Sequence, residues 1–289
     1  MMKNLDAPRI QAFYCVWKAG KGGVLMATII ESKHNAALRH LARLLREKKY
    51  RQNTGEFACE GEKLLYEALA SDMEIKTVLL RANTAFDSLS RGLIAQAETQ
   101  GARLFETSES LFQAVSDVET PQGILFSCMQ KQPQPLPETL SGAMLLDGLQ
   151  DPGNLGTILR TADAFALDAV ILCEGCTDPM APKAVRATMG AVFRQPLYRM
   201  PLEKAIMALQ ARGLPVYAAA LAADSIPATM LDLHHAAVIV GNEGHGVSKQ
   251  ALALCDQKII LPMAGRAESL NAGMAAAILI WEMTRRAAV

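Results

Sequence analysis

Ala236-Ala237-Val238-Ile239-Val240 ends on Gly241-Asn242-Glu243-Gly244-His245-Gly246, and further on Ile259-Ile260-Leu261 ends on Pro262 and leads to Ser269-Leu270-Asn271-Ala272-Gly273-Met274-Ala275-Ala276-Ala277. A short apolar run closed by glycine or proline reads as a buried strand. Both strands therefore end in polar turns, and the second turn opens a helix of small residues with Ser269 or Asn271 at its cap position. Glycine at a strand end lets a ligand approach the backbone closely. The unpaired N–H groups of a helix start point out of the second turn.

The same alternation extends back along the chain. Strands are predicted at Ala143 to Leu146, Ala169 to Leu172, Val192 to Leu197, Val216 to Ala219, Val238 to Val240 and Lys258 to Leu261, with helices between most of them. This pattern predicts an α/β unit with a mostly parallel sheet covered by helices on both faces. Ligands on such sheets sit beyond the carboxyl ends of the strands, where Asp147, Gly241 and Pro262 fall. Upstream, Gln132-Pro133-Gln134-Pro135-Leu136-Pro137 reads as a linker, because alternating prolines feed neither a helix interior nor a central strand. Before it, helices at Asn35 to Lys49, Glu62 to Ala70, Ser88 to Thr99 and Ser108 to Ser116 alternate with strands at Glu56 to Cys59, Thr77 to Leu80, Arg103 to Phe105 and Gly123 to Cys128. These make a small α/β sandwich.

A chain of 289 residues with 51% hydrophobic and 20% charged residues is globular, with length for about two domains. Its 29 basic and 29 acidic residues cancel, so any nucleic acid is held by local patches. The longest apolar runs fall short of the ~20 residues that cross a bilayer. Gly22 to Ile30 only faintly imitates a signal peptide and runs into Glu31-Ser32-Lys33, which predicts a cytoplasmic protein. The clean pattern starts after Met26, which is read as the natural start. Cys173-Glu174-Gly175-Cys176 is the single C-x-x-C among six cysteines; no second pair or nearby histidine completes a metal site, and the pair reads as reduced thiols. His234-His235 lies in a polar turn. The glycines at 241, 244 and 246 reverse the dinucleotide fingerprint, and no phosphate-binding loop motif occurs.

A third polar turn follows the first strand of the second half: Asp147-Gly148-Leu149-Gln150-Asp151-Pro152-Gly153-Asn154-Leu155-Gly156-Thr157-Ile158-Leu159-Arg160. Pro152-Gly153 makes the turn and Asn154 is read as beginning the helix. Arg160, within an otherwise apolar helix, is either a solvated face residue or a planar fork for phosphate or carboxylate.

The three blocks, Asp147 to Arg160, Ile239 to Ser248 and Ile260 to Ala277, resemble the three ordered motifs of the SpoU/TrmH branch of the SPOUT RNA methyltransferases. The resemblance covers about residues 142 to 287, and the N-terminal half resembles the small RNA-binding domain that often precedes it. It implies methyl transfer from S-adenosylmethionine to a ribose 2′-hydroxyl and a sheet tied in a deep trefoil knot. By position it assigns catalysis to Asn154, Arg160, Glu243, Ser269 and Asn271, and cofactor contacts to Ala219, Gly241, Leu261, Met263 and Leu270. A guanidinium with a pKa above ~12 is a poor base, so Arg160 is read as orienting the 2′-hydroxyl through the adjacent phosphate. Glu243 is read as holding Asn154 or the loops. Where the family usually continues Ser-Leu-Asn with Val-Ser-Val, this chain has Ala272-Gly273-Met274, and Gly273 is read as permitting close packing at a dimer interface.

With the resemblance, the organisation becomes an extension over 1–30, an RNA substrate-binding domain over 31–130, a linker over 131–141 and a methyltransferase domain over 142–289. The expected partners are RNA, ribosomal before transfer RNA, and a second copy of the chain bound through the knotted domain; no metal is expected. The helix from Asn35 carries Arg39, Arg43, Arg46, Lys48, Lys49 and Arg51, with Lys33 and His34 before it. Leu38, Leu41, Leu44 and Leu45 give it a core stripe, so its basic side is either a solvated face or a phosphate footprint, for which Lys33, Arg39, Arg43 and Lys48 are the named residues. The competing readings are an RNA-binding module with an inactive transferase half and an α/β enzyme for a small metabolite.

Overall fold

The computed structural model describes residues 14–18, 24–267 and 269–285, in two compact units, Met1–Met129 and Gln130–Val289. The first unit contains β1 (Tyr14–Lys18), β2 (Val24–Ile30), α1 (Ala36–Arg46), α2 (Lys48–Thr54), β3 (Glu56–Glu60), α3 (Glu62–Ala70), β4 (Ile75–Arg81), α4 (Ser88–Thr99), β5 (Arg103–Thr107), α5 (Glu109–Val115) and β6 (Ile124–Met129). Its sheet has the order β1-β2-β5-β4-β6-β3 and is mixed, with β2, β5 and β4 parallel and the other pairs antiparallel. Leu38, Leu41, Leu44 and Leu45 of α1 and Phe112 and Val115 of α5 bury against Ala58, Leu79 and Leu125. Strand residues of opposite parity, Phe57, Cys59, Val78 and Leu80, are buried as well, so both faces of the sheet are covered. Of the segment 1–30, residues 1–13 and 19–23 lie outside the described residues, Met26 falls inside β2, and β2 pairs with β5.

One helix expected from Asn35 to Lys49 is two. Asn35 caps α1 by accepting from the Ala37 and Leu38 N–H groups, at 2.9 and 3.5 Å, and the helix breaks at Glu47, whose φ and ψ are −109° and 104°. The break lets Arg51 of α2 turn inward. Its guanidinium is buried and donates to the Leu44 and Leu45 carbonyls at 2.7 and 3.4 Å, supplying donors that the end of a helix lacks. Arg51 is therefore a structural group and leaves the basic surface.

The second unit contains β7 (Gly142–Leu146), α6 (Pro152–Ala164), β8 (Ala169–Leu172), α7 (Pro182–Thr188), β9 (Leu197–Arg199), α8 (Leu202–Gln210), β10 (Val216–Ala219), β11 (Ile226–Pro227), β12 (Ala236–Val240), α9 (Lys249–Leu254), β13 (Gln257–Ile260) and α10 (Ala272–Thr284). All seven strands are parallel, in the order β11-β13-β10-β12-β7-β8-β9. Period-two alternation divides the core cleanly. Met144, Leu146, Val238 and Val240 pack under α6 and α10 on one face. Ala143, Leu145, Ala237 and Ile239 pack under α8 and α9 on the other.

The strand expected over Val192 to Leu197 is a 3₁₀ turn at Ala191–Phe193 followed by the three residues of β9. Met189 and Gly190 take left-handed φ values of 52° and 100°, which folds the chain into a turn, and Pro196 has no N–H to give a ladder. The two-residue β11 carries too little pattern to be seen in sequence. Among the described residues no helix is long and apolar enough to cross a membrane.

Candidate active site

Three turns meet at the carboxyl edge of the second sheet. After β7 the chain passes Asp147 and Gly148 and enters α6. The cap of α6 is Asp151, with Pro152 in its first turn; Asn154, expected to begin the helix, lies three residues past the cap and its N–H donates to Asp151 Oδ1 at 2.8 Å. An acid before a proline at a helix start is a cap signature in its own right, and the dipole favours the anion there. In the sequence the adjacent Pro-Gly pair reads equally as a turn, which masks Asp151 as the cap.

Glu243, from the turn after β12, closes on this helix start. Its Oε1 accepts from the Asp151 N–H at 2.9 Å and from Asn154 Nδ2 at 2.9 Å, and its Oε2 accepts from the Gln150 N–H at 3.0 Å. Partial burial pushes the Glu243 carboxyl up, but the bonds from Asn154, Gln150 and Asp151 outweigh it and hold the pKa below its ordinary value. Asp151 is lowered too, first by the Asn154 N–H, against some desolvation, and then by Lys183.

Asn242 organises the turn that carries Glu243. Its Oδ1 accepts from the Gly244 and His245 N–H groups at 2.8 and 3.0 Å, its backbone exchanges two bonds with Gly246, and its Nδ2 donates to the Gly148 carbonyl at 2.9 Å. Asp147 adds a second tie, accepting the Ser248 N–H at 2.8 Å. Gly241 is needed for this closure. A Cβ there would lie 2.1 Å from the Gly246 carbonyl carbon and 2.2 Å from the Val247 nitrogen, so the close approach expected of a ligand is made by the chain itself. Asn242 and Asp147 were missed as site residues; an asparagine two residues before a glycine is the available signal for such a turn.

The third turn ends on Asn271, which caps α10 by accepting from the Met274 N–H at 3.2 Å. Ser269 and Leu270 are exposed ahead of it. Gly273, read as a dimer contact, is buried within its own chain: a Cβ there would lie 3.2 Å from Oδ1 of both Asn154 and Asn271. The absent side chain is what lets α10 lie on the start of α6 and brings the two asparagines together.

Between the second and third turns lies a cavity of about 460 Å³. Ala219, Gly241, Leu261, Met263 and Leu270, the five expected cofactor residues, all line it, and so do Glu243 and Ser269. Asn154, Arg160 and Asn271 are not among its lining residues. Arg160 is exposed on α6 and makes no hydrogen bond or ion pair among the described residues. Cys173 and Cys176 are free thiols; burial pushes Cys173 up to about 12, and Cys176 Sγ donates to the Leu146 carbonyl at 3.1 Å, so neither is an activated nucleophile. No cluster of metal-ligating side chains occurs among the described residues.

In the first unit, Lys33, Arg39, Lys48 and Lys49 are exposed. Arg43 is committed to Glu47 through two bonds of 2.9 Å and stacks 3.8 Å over the Tyr50 ring, and Arg46 donates to the Ala114 carbonyl at 2.8 Å. The free basic charge of α1 and its flanks is thus smaller than its sequence, and rests on Lys33, Arg39, Lys48 and Lys49.

Residues 142–281 match the SpoU rRNA Methylase family, and residues 35–125 match the MRM3-like substrate binding domain. The chain is 38% identical to the 23S rRNA (guanosine(2553)-2′-O)-methyltransferase RlmP of Bacillus subtilis, over 88% of this chain and 98% of that protein. An AdoMet-bound rRNA methyltransferase from Sinorhizobium meliloti matches with a TM-score of 0.78 and 31% identity, covering 88% of this chain and 96% of the other. The SpoU methyltransferase AviRb of Streptomyces viridochromogenes, in complex with AdoMet, matches with a TM-score of 0.75 and 26% identity over 87% and 97% of the two chains.

Proposed function

The chain belongs to the SpoU rRNA methylase family, and from that premise we propose that it methylates a ribose 2′-hydroxyl of large-subunit ribosomal RNA with S-adenosylmethionine. The observation that carries this reading is the cavity between the second and third polar turns, one of whose lining residues, Glu243, is bonded to Asn154 of the first.

The cavity suits the cofactor in kind. Its volume lies in the ~300–1,000 Å³ range of small-molecule sites. Leu261, Ile259 and Leu279 give it apolar walls, and Asn242, Glu243, His245 and Ser269 give it a polar lip. Ala219, Gly241, Leu261, Met263 and Leu270 would hold the cofactor, which when bound supplies a methyl group on a positively charged sulfur. Attack by the ribose oxygen needs an in-line approach more than a strong base, and placement alone is worth ~7–11 kcal/mol of barrier. Asn154, Ser269 and Asn271 fix the nucleotide by hydrogen bonds. Glu243 fixes Asn154, and Arg160 holds the adjacent phosphate, the 2′-hydroxyl proton leaving late to solvent.

Three further features belong to this reading. The chain enters β13 from the face bearing α9 and leaves for the face bearing α10, and β13 sits between β10 and β11, which are consecutive in sequence; this threading supports a knot. α10 is apolar all round yet leaves Met274, Ile278 and Trp281 exposed, with Phe165 of α6 edge-on to Trp281 at 5.1 Å, which supports a homodimer closed over this helix. Lys33, Arg39, Lys48 and Lys49 of the substrate-binding domain supply phosphate contacts, and the similarity to a bacterial 23S rRNA methyltransferase supports work in the cytoplasm.

The test is methyl transfer from tritiated S-adenosylmethionine to ribosomal RNA, with the site mapped by comparing RNA from cells with and without the gene. Arg160→Ala is expected to abolish turnover with cofactor affinity by calorimetry unchanged; loss of that affinity would remove Arg160 from the RNA side of the site.

A further inference from the structure

Lys183 is the second residue of α7, and its Nζ lies 3.2 Å from Asp151 Oδ2 while Asp151 Oδ1 caps α6. Asp151 is also bonded through its N–H to Glu243, so Lys183 is the cation of a cluster holding two carboxylates at the mouth of the site. A polyanionic substrate brought to that mouth meets the charges of Asp151 and Glu243 unless a cation offsets them. Fold stability is a weak reason for the pair, because exposed ion pairs contribute little. The side chain of Lys183 is 65% exposed, and of the three donors on its ammonium only one is spent on Asp151.

Its helix is seated rigidly. A Cβ on Gly156 would lie 2.3 Å from Ala187 Cβ and 2.9 Å from the Ala184 carbonyl oxygen, so α6 and α7 touch backbone to backbone. Gly156 therefore faces α7, and Arg160, one turn further along α6, lies toward the same side. Two exposed cations, Lys183 and Arg160, border this helix pair.

We propose that Lys183 is a substrate-binding residue for the methyl transfer: its ammonium, with two donors beyond the one given to Asp151, grips a backbone phosphate of the RNA beside the target nucleotide, a contact that does not depend on the pair with Asp151. The proposal rests on the RNA-methylating reading above. It differs from a capping role in that the contact is made to substrate, and so depends on salt and on RNA concentration.

The experiment uses the full chain, 23S ribosomal RNA transcribed in vitro and tritiated S-adenosylmethionine. Lys183→Gln is expected to raise KM for RNA roughly tenfold, the usual worth of one charge-assisted hydrogen bond, with kcat changed far less. The slope of log affinity for RNA against log salt is expected to fall by about one contact. Lys183→Arg restores most of both, and calorimetric affinity for S-adenosylmethionine stays at the wild-type value. The same fall in slope is expected when Lys183→Gln is placed in an Asp151→Asn background, which keeps the cap but removes its charge. An unchanged KM and slope, or an effect that vanishes in that background, overturns the proposal and leaves Lys183 as a partner of Asp151 alone. Should Lys183→Gln melt early, Lys183→Arg and the salt slope below the melting range still decide between the two. Failure of the wild-type protein to methylate the RNA would sink the functional reading itself, a separate result.

Discussion

Glu243 accepts three hydrogen bonds from one short stretch of a different turn, so its removal strands the Gln150 and Asp151 N–H groups and the Asn154 amide together. Glu243→Ala is expected to cost about 1–2 kcal/mol, the low end for lost charged acceptors because much of the carboxylate faces water, and to lower methyl transfer by more than that destabilisation explains. Calorimetry and single-turnover rates measured together check this. The pH dependence follows from the lowered pKa values of Glu243 and Asp151. A depressed carboxyl binds its proton more readily unfolded than folded, so the stability it contributes is full above its unfolded value near ~4 and is lost as pH falls through the lower folded value. Acid melts are expected to show this loss in wild type and less of it in Glu243→Gln. At this scale the Glu243 and Asn154 pair was legible through the family resemblance, which set both in the site, and the bond between them is present. The sequence was not legible where two residues compete for one office: Asp151 and Asn154 are equally good caps, and only the placement of Pro152 in the first helical turn decides between them.

Between elements, the contact of α6 with α7 depends on Gly156 having no side chain. Gly156→Ala is expected to push α7 away and cost about 1–3 kcal/mol, as overpacking does, with a larger loss of RNA methylation than of cofactor binding; thermal melts and paired affinity measurements check it. Continuous apolar runs such as Ala236–Val240 showed their strands in sequence because both faces of that strand are buried. The break at Glu47 did not show, since helix formers stand on both sides of it. What decides there is tertiary: Arg51 must fold back onto the Leu44 and Leu45 carbonyls. The turn at Met189-Gly190 was likewise hidden, because a left-handed methionine has no signature in composition.

For the whole molecule, the exposed side of α10 bears on assembly. Ile278→Asp is expected to give a smaller particle in sedimentation with its circular dichroism unchanged; wild type and variant sedimenting alike would exclude α10 as the interface. The parallel sheet was legible as alternating strands and helices, and the cavity as strand ends broken by glycine and proline. The strand order was not, because register and neighbour choice are long-range properties. One part of that order has a consequence for synthesis. β11 has no neighbour in the sheet other than β13, which leaves the ribosome after it. Until Gln257–Ile260 docks, β11 has nothing to lie against and β10 presents a bare edge, so a chain stopped after Cys255 is left with the four residues of β10 as an adhesive border, prone to clumping, where the finished sheet ends on the two-residue β11.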